Sequence, residues 1–168
     1  MQSGTSLAPF QFPPMAVRTA PPHTCVVNWI ADNNVNVFVV EDAPEVRKRL
    51  VAIVRTVPGV AVVGEAESVR GAVDGVLAAA VDVMLLDLQL LDGSGLDVLA
   101  AVKPQRPGLY VIVLSNFAGQ QQYRDASLAA GADVVLDKTT EFGHVREILR
   151  GRLDAEQATP AALKTDPD

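Results

Sequence analysis

Short apolar runs alternate along this chain with segments of helical spacing, and the runs end in polar residues. Residues 35–40 are followed by Glu41-Asp42, residues 83–86 by Asp87, and residues 111–114 by Ser115, while Lys138 stands just beyond 134–136. A short apolar run closed by a polar residue reads as a buried strand of a parallel sheet whose carboxyl end opens to solvent. Parallel strands need crossovers, and here each gap holds a helix-like stretch. Val46, Leu50, Ile53, Val54 and Val57 recur at helical spacing from Pro44 until Pro58-Gly59 breaks the pattern. Val60 to Gly64 reads as a second strand, and Val69, Val73, Val76 and Leu77 mark a second helix. A loop with Asp92-Gly93-Ser94-Gly95 leads into a helix carrying Leu96, Leu99 and Ala100, stopped near Pro104. The fourth helix lies within 120–130 and ends at Gly131, suited to a left-handed cap, and a last helix starts near Thr140 with Phe142, Val145, Ile148 and Leu149 inward. Five such units predict an α/β fold: a doubly wound, five-stranded parallel sheet with helices on both faces.

The 168 residues suffice for one domain with a core, predicted at 35–153, between a disordered leader at 1–34 and a disordered tail at 154–168. Pro13-Pro14 and Pro21-Pro22 prevent regular structure in the leader, whose one apolar patch, around Cys25 and Trp29, is a candidate docking element. His23 falls in the leader, and His144 reads as a surface or boundary residue of the last helix. A net charge of −6 argues against non-specific attraction to nucleic acid or anionic membrane. The single cysteine excludes an intrachain disulfide, and no run approaches the roughly 18 apolar residues of a spanning helix. A cytoplasmic protein with no membrane partner is the expectation.

In open α/β sheets the ligand crevice lies at the carboxyl ends of the strands, which gathers Glu41, Asp42, Asp87, Ser115 and Lys138 at one place. Each alone has a plain reading: strand-end and helix-start acids cap turns, and a lysine is usually solvated. Together they suit a divalent cation and a phosphoryl group. Carboxylates about 4 Å apart repel by about 4 kcal/mol at an effective dielectric near 20, which a bound cation offsets. Hard oxygen donors favour Mg²⁺, with the main-chain carbonyl of Gln89 able to complete the protein ligands. An aspartate so placed can also act as a nucleophile and form an aspartyl phosphate. Lys138 would balance phosphoryl charge, and the Ser115 hydroxyl would donate one hydrogen bond.

The pieces VFVVED, VMLLDLQLLDGSGLDVL, VIVLSN and GADVVLDK, in that order, resemble the receiver domain of bacterial two-component response regulators over about 36–153. The resemblance implies flavodoxin-like strand order 2-1-3-4-5. It makes Asp87 the phosphoacceptor, Asp42 a direct Mg²⁺ ligand, Glu41 a ligand through water, Ser115 the switch hydroxyl and Lys138 the phosphate-sensing lysine. It implies a sensor histidine kinase or histidine phosphotransfer protein as donor and a downstream protein target, with a homodimer as an option. The chain departs from the family pattern at Leu91 in place of Pro, which implies a less rigid loop after Asp87. It departs again at Thr139 after Lys138, where a trans peptide is expected, and at Val135 in place of the aromatic that rotates on activation. Without that aromatic, the loop after Ser115 and the fourth helix become the expected readout.

About fifteen residues follow Leu153, too few for a helix-turn-helix module, so the expectation is a stand-alone receiver with output through protein contacts and no direct DNA binding. The alternative is a pseudo-receiver that binds partners without phosphorylation. A haloacid-dehalogenase-like phosphotransferase would carry a second acid two residues after the nucleophile, where this chain has Gln89. No G-x-x-x-x-G-K-[ST] is present for a nucleotide-binding enzyme.

Overall fold

A computed structural model of the chain describes residues 34–158. The leader with His23, Cys25 and Trp29, and residues 159–168, lie outside the described residues. The elements run β1 (Val35–Val40), α1 (Pro44–Arg55), β2 (Val60–Ala66), α2 (Val69–Ala78), β3 (Val83–Asp87), β4 (Gln89–Leu90), β5 (Gly93–Ser94), α3 (Gly95–Val102), β6 (Tyr110–Ser115), α4 (Gln121–Ala129), β7 (Val134–Asp137) and α5 (His144–Ala158).

The main sheet has five parallel strands in the order β2-β1-β3-β6-β7. Leaving aside the two-residue strands β4 and β5, which pair only with each other, this is the expected 2-1-3-4-5 order. The chain steps outward from β1 to β2, then crosses back to place β3 on the other side of β1. That reversal separates the carboxyl ends of β1 and β3 just enough to form a crevice.

Strand residues divide between two cores by parity. Val37, Val39, Leu85, Ile112, Leu114 and Leu136 pack with Leu50 and Val54 of α1 and Val145 and Leu149 of α5. Phe38, Val40, Met84, Leu86, Val111, Val113 and Val135 pack with Ala72 and Val76 of α2 and Val98, Leu99 and Val102 of α3. The central strands are thus buried on both faces, which is why they read as unbroken apolar runs. In α3 the inward stripe includes Val98, whereas Ala100 is exposed.

Helix α1 begins with Pro44 in its first turn, and α4 gives way to Gly131 at φ 104°, a left-handed conformation that favours glycine. Strand β2 runs on to Ala66, two residues past the expected end, and both boundaries of α5 differ from those expected. Helix α5 starts at His144, because the Asp137 carboxylate accepts from the Thr139 and Thr140 main-chain N–H groups and from the Thr139 hydroxyl, holding both threonines in a turn. It then continues past Leu153 to Ala158. His144 itself is exposed, as expected. All described peptide bonds are trans, the one between Lys138 and Thr139 included. Among the described residues no helix is long and apolar enough to cross a membrane.

Candidate functional site

Because β1 and β3 are parallel neighbours, Glu41 and Asp42 emerge beside Asp87 at the same edge of the sheet. One carboxylate oxygen from each of Glu41, Asp42 and Asp87 falls within 4.8 Å of the others. Lys138, carried in from the end of β7, places Nζ 2.7 Å from Glu41 Oε2 and 2.7 Å from Asp87 Oδ2. All three side chains of this bridge are at most 8% exposed. Three carboxylates against the Lys138 ammonium and the Arg49 guanidinium leave the cleft lining with a formal excess of one negative charge. Gln89 and Asn116 join them around a cleft of about 290 Å³, with Arg49 stacked 4.6 Å over the Phe142 ring on its wall.

Glu41 is held on every side. Its N–H donates to Ala66 O at 2.9 Å, its carbonyl accepts from Arg47 Nη1 at 2.7 Å, and Oε1 accepts from Ala43 N–H at 3.4 Å. Oε2 is buried against the Lys138 ammonium, 2.7 Å away. Burial pushes the Glu41 carboxyl above its ordinary 4.5, opposed by Lys138 and reinforced by the Asp87 charge. A raised carboxyl binds its proton more tightly in the folded state, so its contribution to stability falls as pH rises through the window above 4.5. In metal-free buffer, Glu41→Gln is therefore expected to gain stability relative to the parent chain between pH 4.5 and 7. Thermal unfolding across that range checks this, and a gap that is flat or shrinks with pH would refute it. Asp137 behaves oppositely: its bonds from Thr139 hold it below 3.8, so its contribution is present above 3.8 and is lost as pH falls through the lowered value.

The segment after Asp87 was expected to be a loop made less rigid by Leu91. Leu91 is indeed exposed, yet the segment is fastened by other means. Gln89–Leu90 pairs antiparallel with Gly93–Ser94, and Asp92 accepts from the N–H groups of Val69 and Arg70 at 2.5 and 3.4 Å, closing the first turn of α2. Ser94 and Asp97 form a capping box at the start of α3. Gly95 N–H donates to Leu88 O, and a Cβ at Gly95 would stand only 2.3 Å from the Asp87 carbonyl oxygen. These roles depend on neighbours distant in sequence, and only the Ser94-x-x-Asp97 spacing carried a signal for one of them.

Of the six residues singled out from the sequence, Glu41, Asp42, Asp87, Gln89 and Lys138 line the cleft. Ser115 does not line it. It is buried one residue behind Asn116, with Oγ accepting the Phe117 N–H at 3.0 Å, which leaves its own proton to donate elsewhere. Phe117 stacks on Tyr123 with centroids 5.3 Å apart, linking that loop to α4. Val135 is buried, and Arg124 Nη1 of α4 donates to its carbonyl at 3.2 Å. Only Ser127 of α4 is fully buried, so this helix is thinly anchored.

A doubly wound sheet with an acidic crevice at its reversal point defines a class of anion- and cation-binding α/β domains. Residues 37–150 match the response regulator receiver domain, and the chain belongs to that family. It is 34% identical over 132 residues to the DNA-binding transcriptional activator DevR/DosR of Mycobacterium tuberculosis, covering 77% of this chain and 61% of that protein. It is 30% identical to a protein-glutamate methylesterase/protein-glutamine glutaminase of Treponema pallidum, covering 73% of this chain and 31% of that one. Among solved structures, the response regulator domain of Thermotoga maritima CheB shares the fold with a TM-score of 0.65 at 23% identity, covering 80% of this chain and 99% of that domain. The RcsB response regulator of Salmonella typhimurium gives 0.66 at 23% identity, covering 77% and 64%.

The expectation that DNA is no partner is corrected by these relatives. DevR/DosR is a DNA-binding activator, and RcsB dimers have been solved bound to DNA. The expectation rested on acidic charge and on the residues after Leu153. Attraction to DNA is a local property of a basic surface, so the charge of a receiver domain sets nothing for whatever is joined to it. The chain also spans less than two thirds of the activator's length.

Proposed function

We propose that the chain accepts a phosphoryl group on Asp87 from a phosphohistidine of a partner protein, and signals through the surface around α4. The observation that carries this reading is the placement of Asp87 Oδ2 against the Lys138 ammonium, inside an acidic cluster with Glu41 and Asp42. In the transfer, an Asp87 carboxylate oxygen bonds to phosphorus as the N–P bond breaks. The electron pair of that bond stays on the imidazole, which leaves neutral or takes a proton from solvent. Catalysis of this kind needs mainly positioning and charge balance.

The donor set fits a divalent cation, since it gathers hard oxygens of three carboxylates with a net negative charge. Asp42, Asp87 and the Gln89 main-chain carbonyl would hold Mg²⁺, with Glu41 acting through water, and the ion would supply neutralisation of phosphoryl charge. Lys138 contributes the second cation. The Ser115 proton is free to turn toward a phosphoryl oxygen, which would release or redirect the Phe117 N–H and disturb the Phe117–Tyr123 stack on α4.

Intact mass after incubation with acetyl phosphate and Mg²⁺ is expected to show one added phosphoryl group, absent from Asp87→Ala. In the beryllofluoride–Mg²⁺ complex, amide resonances of residues 116–130 are expected to move. Neither mass addition nor any spectral change with beryllofluoride would sink the reading and favour a phosphorylation-independent binding module. Mass addition with an unmoved 116–130 segment would sink only the α4 readout.

A further inference from the structure

Arg47 lies outside the acidic cluster but touches the backbone that delivers it. Its Nη1 donates to the Glu41 carbonyl at 2.7 Å, and its own N–H donates to Ala43 O at 2.9 Å. Its side chain is 20% exposed, wedged where the end of β1, the first turns of α1 and the end of β2 meet. The remaining partners are weaker: Nε is 3.5 Å from Glu65 and Nη1 3.4 Å from Glu67, carboxylates that are 44% and 57% exposed. Exposed ion pairs at such distances contribute little, whereas a short charge-assisted bond to a part-buried carbonyl is strong and directional.

The Glu41 carbonyl belongs to the planar peptide that joins Glu41 to Asp42. Fixing its oxygen fixes that plane, and with it the direction from which the Asp42 side chain leaves the backbone. Glu41 N–H, which belongs to the preceding peptide, is tied to Ala66 O. The two peptides that flank the Glu41 Cα are therefore each held by one bond, the preceding one by β2 and the Glu41–Asp42 one by Arg47. A cation such as Mg²⁺ demands near-ideal geometry, so small rotations of a ligand-bearing peptide are costly to affinity.

We propose that Arg47 is a positioning residue for the acidic site, holding the Glu41–Asp42 peptide so that Asp42 faces the pocket. The proposal rests on the reading of that pocket as a divalent-cation site. It differs from a staple of α1 onto β2, which would act through Glu65 and Glu67.

Three chains separate the two: the parent, Arg47→Met, and the double variant Glu65→Gln/Glu67→Gln. Calorimetric titration with Mg²⁺ is expected to show roughly tenfold weaker binding for Arg47→Met, the scale of lost outer-shell support at metal sites. The double variant is expected to stay within about twofold, since it keeps the carbonyl bond. In metal-free protein, the Asp42 and Ala43 amide resonances should shift in Arg47→Met and hold in the double variant. Parent-like Mg²⁺ affinity in Arg47→Met, or an equal loss in the double variant, overturns the proposal. A parent chain that binds no Mg²⁺ brings down the cation reading instead, and the metal-free resonances then decide whether Arg47 sets the peptide. If Arg47→Met does not fold, Arg47→Lys keeps the charge without the planar fork and carries the same expectation of weaker binding.

Discussion

Replacing Lys138 by methionine is expected to reduce phosphoryl uptake from acetyl phosphate by two orders of magnitude or more and to destabilise the metal-free protein by about 3–5 kcal/mol at pH 8. The ammonium lies 2.7 Å from both Glu41 and Asp87, and none of the three side chains has more than slight access to water. Methionine fills a similar volume, so the loss is one of charge. Two buried carboxylates are then left facing each other, with the Asp42 carboxylate within the same cluster. Relief comes from protonation. Glu41 already sits above 4.5 through burial, and loss of the opposing cation raises it further. The folded variant then holds a proton that the unfolded chain gives up above 4.5, so the variant's deficit widens as pH rises and closes as pH falls toward 4.5. Denaturant unfolding of both chains at several pH values, with EDTA, measures this directly. Saturating Mg²⁺ is expected to restore part of the stability, because a ligand bound only by the folded state shifts the equilibrium toward it. A deficit independent of pH would show that Lys138 acts through packing and not through charge.

Gly95→Ala is expected to cost about 3 kcal/mol, a fall in melting temperature of roughly 10 °C. The added methyl would stand 2.3 Å from the Asp87 carbonyl oxygen and 3.1 Å from both the Asp87 carbonyl carbon and Leu88 Cα. All three are backbone atoms, so no flexible side chain can give way. The strand end that carries Asp87 and the first turn of α3 must separate, which also breaks the Gly95 N–H bond to Leu88 O. Gly108→Ala is the matched control, since nothing lies within 4 Å of a Cβ there. Equal melting temperatures for the two variants would refute the close-approach argument. Because the displaced atoms belong to Asp87, phosphoryl uptake by any folded Gly95→Ala protein should fall as well.

The sheet was legible in the sequence because its central strands are buried on both faces, so every residue of a run such as 83–86 must be apolar, and the first position that lines the cleft shows at once as Asp87. The same logic exposed five of the six site residues, since strand ends are where polar groups return. What stayed hidden depends on contacts across the fold. Two-residue strands such as Gln89–Leu90 have no periodicity to read. The start of α5 was misplaced because residues 138–143 form turns, held by Asp137 bonds from the Thr139 and Thr140 N–H groups and by the His144 N–H bond to Glu141 O, before the helix begins. Nothing in the sequence sets Arg47 apart, and only the fold brings its guanidinium to the Glu41 carbonyl. Ser115 was rightly put at a strand end, but a strand-end residue can be turned inward, and here its Oγ accepts the Phe117 N–H while its own proton stays available.

The division of strand residues by parity has a consequence for how the domain can change. Val54 and Leu149 belong to one core and Val76 and Val98 to the other, and the two cores meet only through the backbone of the sheet between them. Substitutions on opposite faces share no cavity and no side-chain partner, so their effects on stability should sum to within about 0.5 kcal/mol. The face built from α1 and α5 and the face built from α2 and α3 are in this sense separate heritable units. Mutation can rework the surface of one, and the partner it meets, while the other keeps its packing and the strand ends between them keep their chemistry.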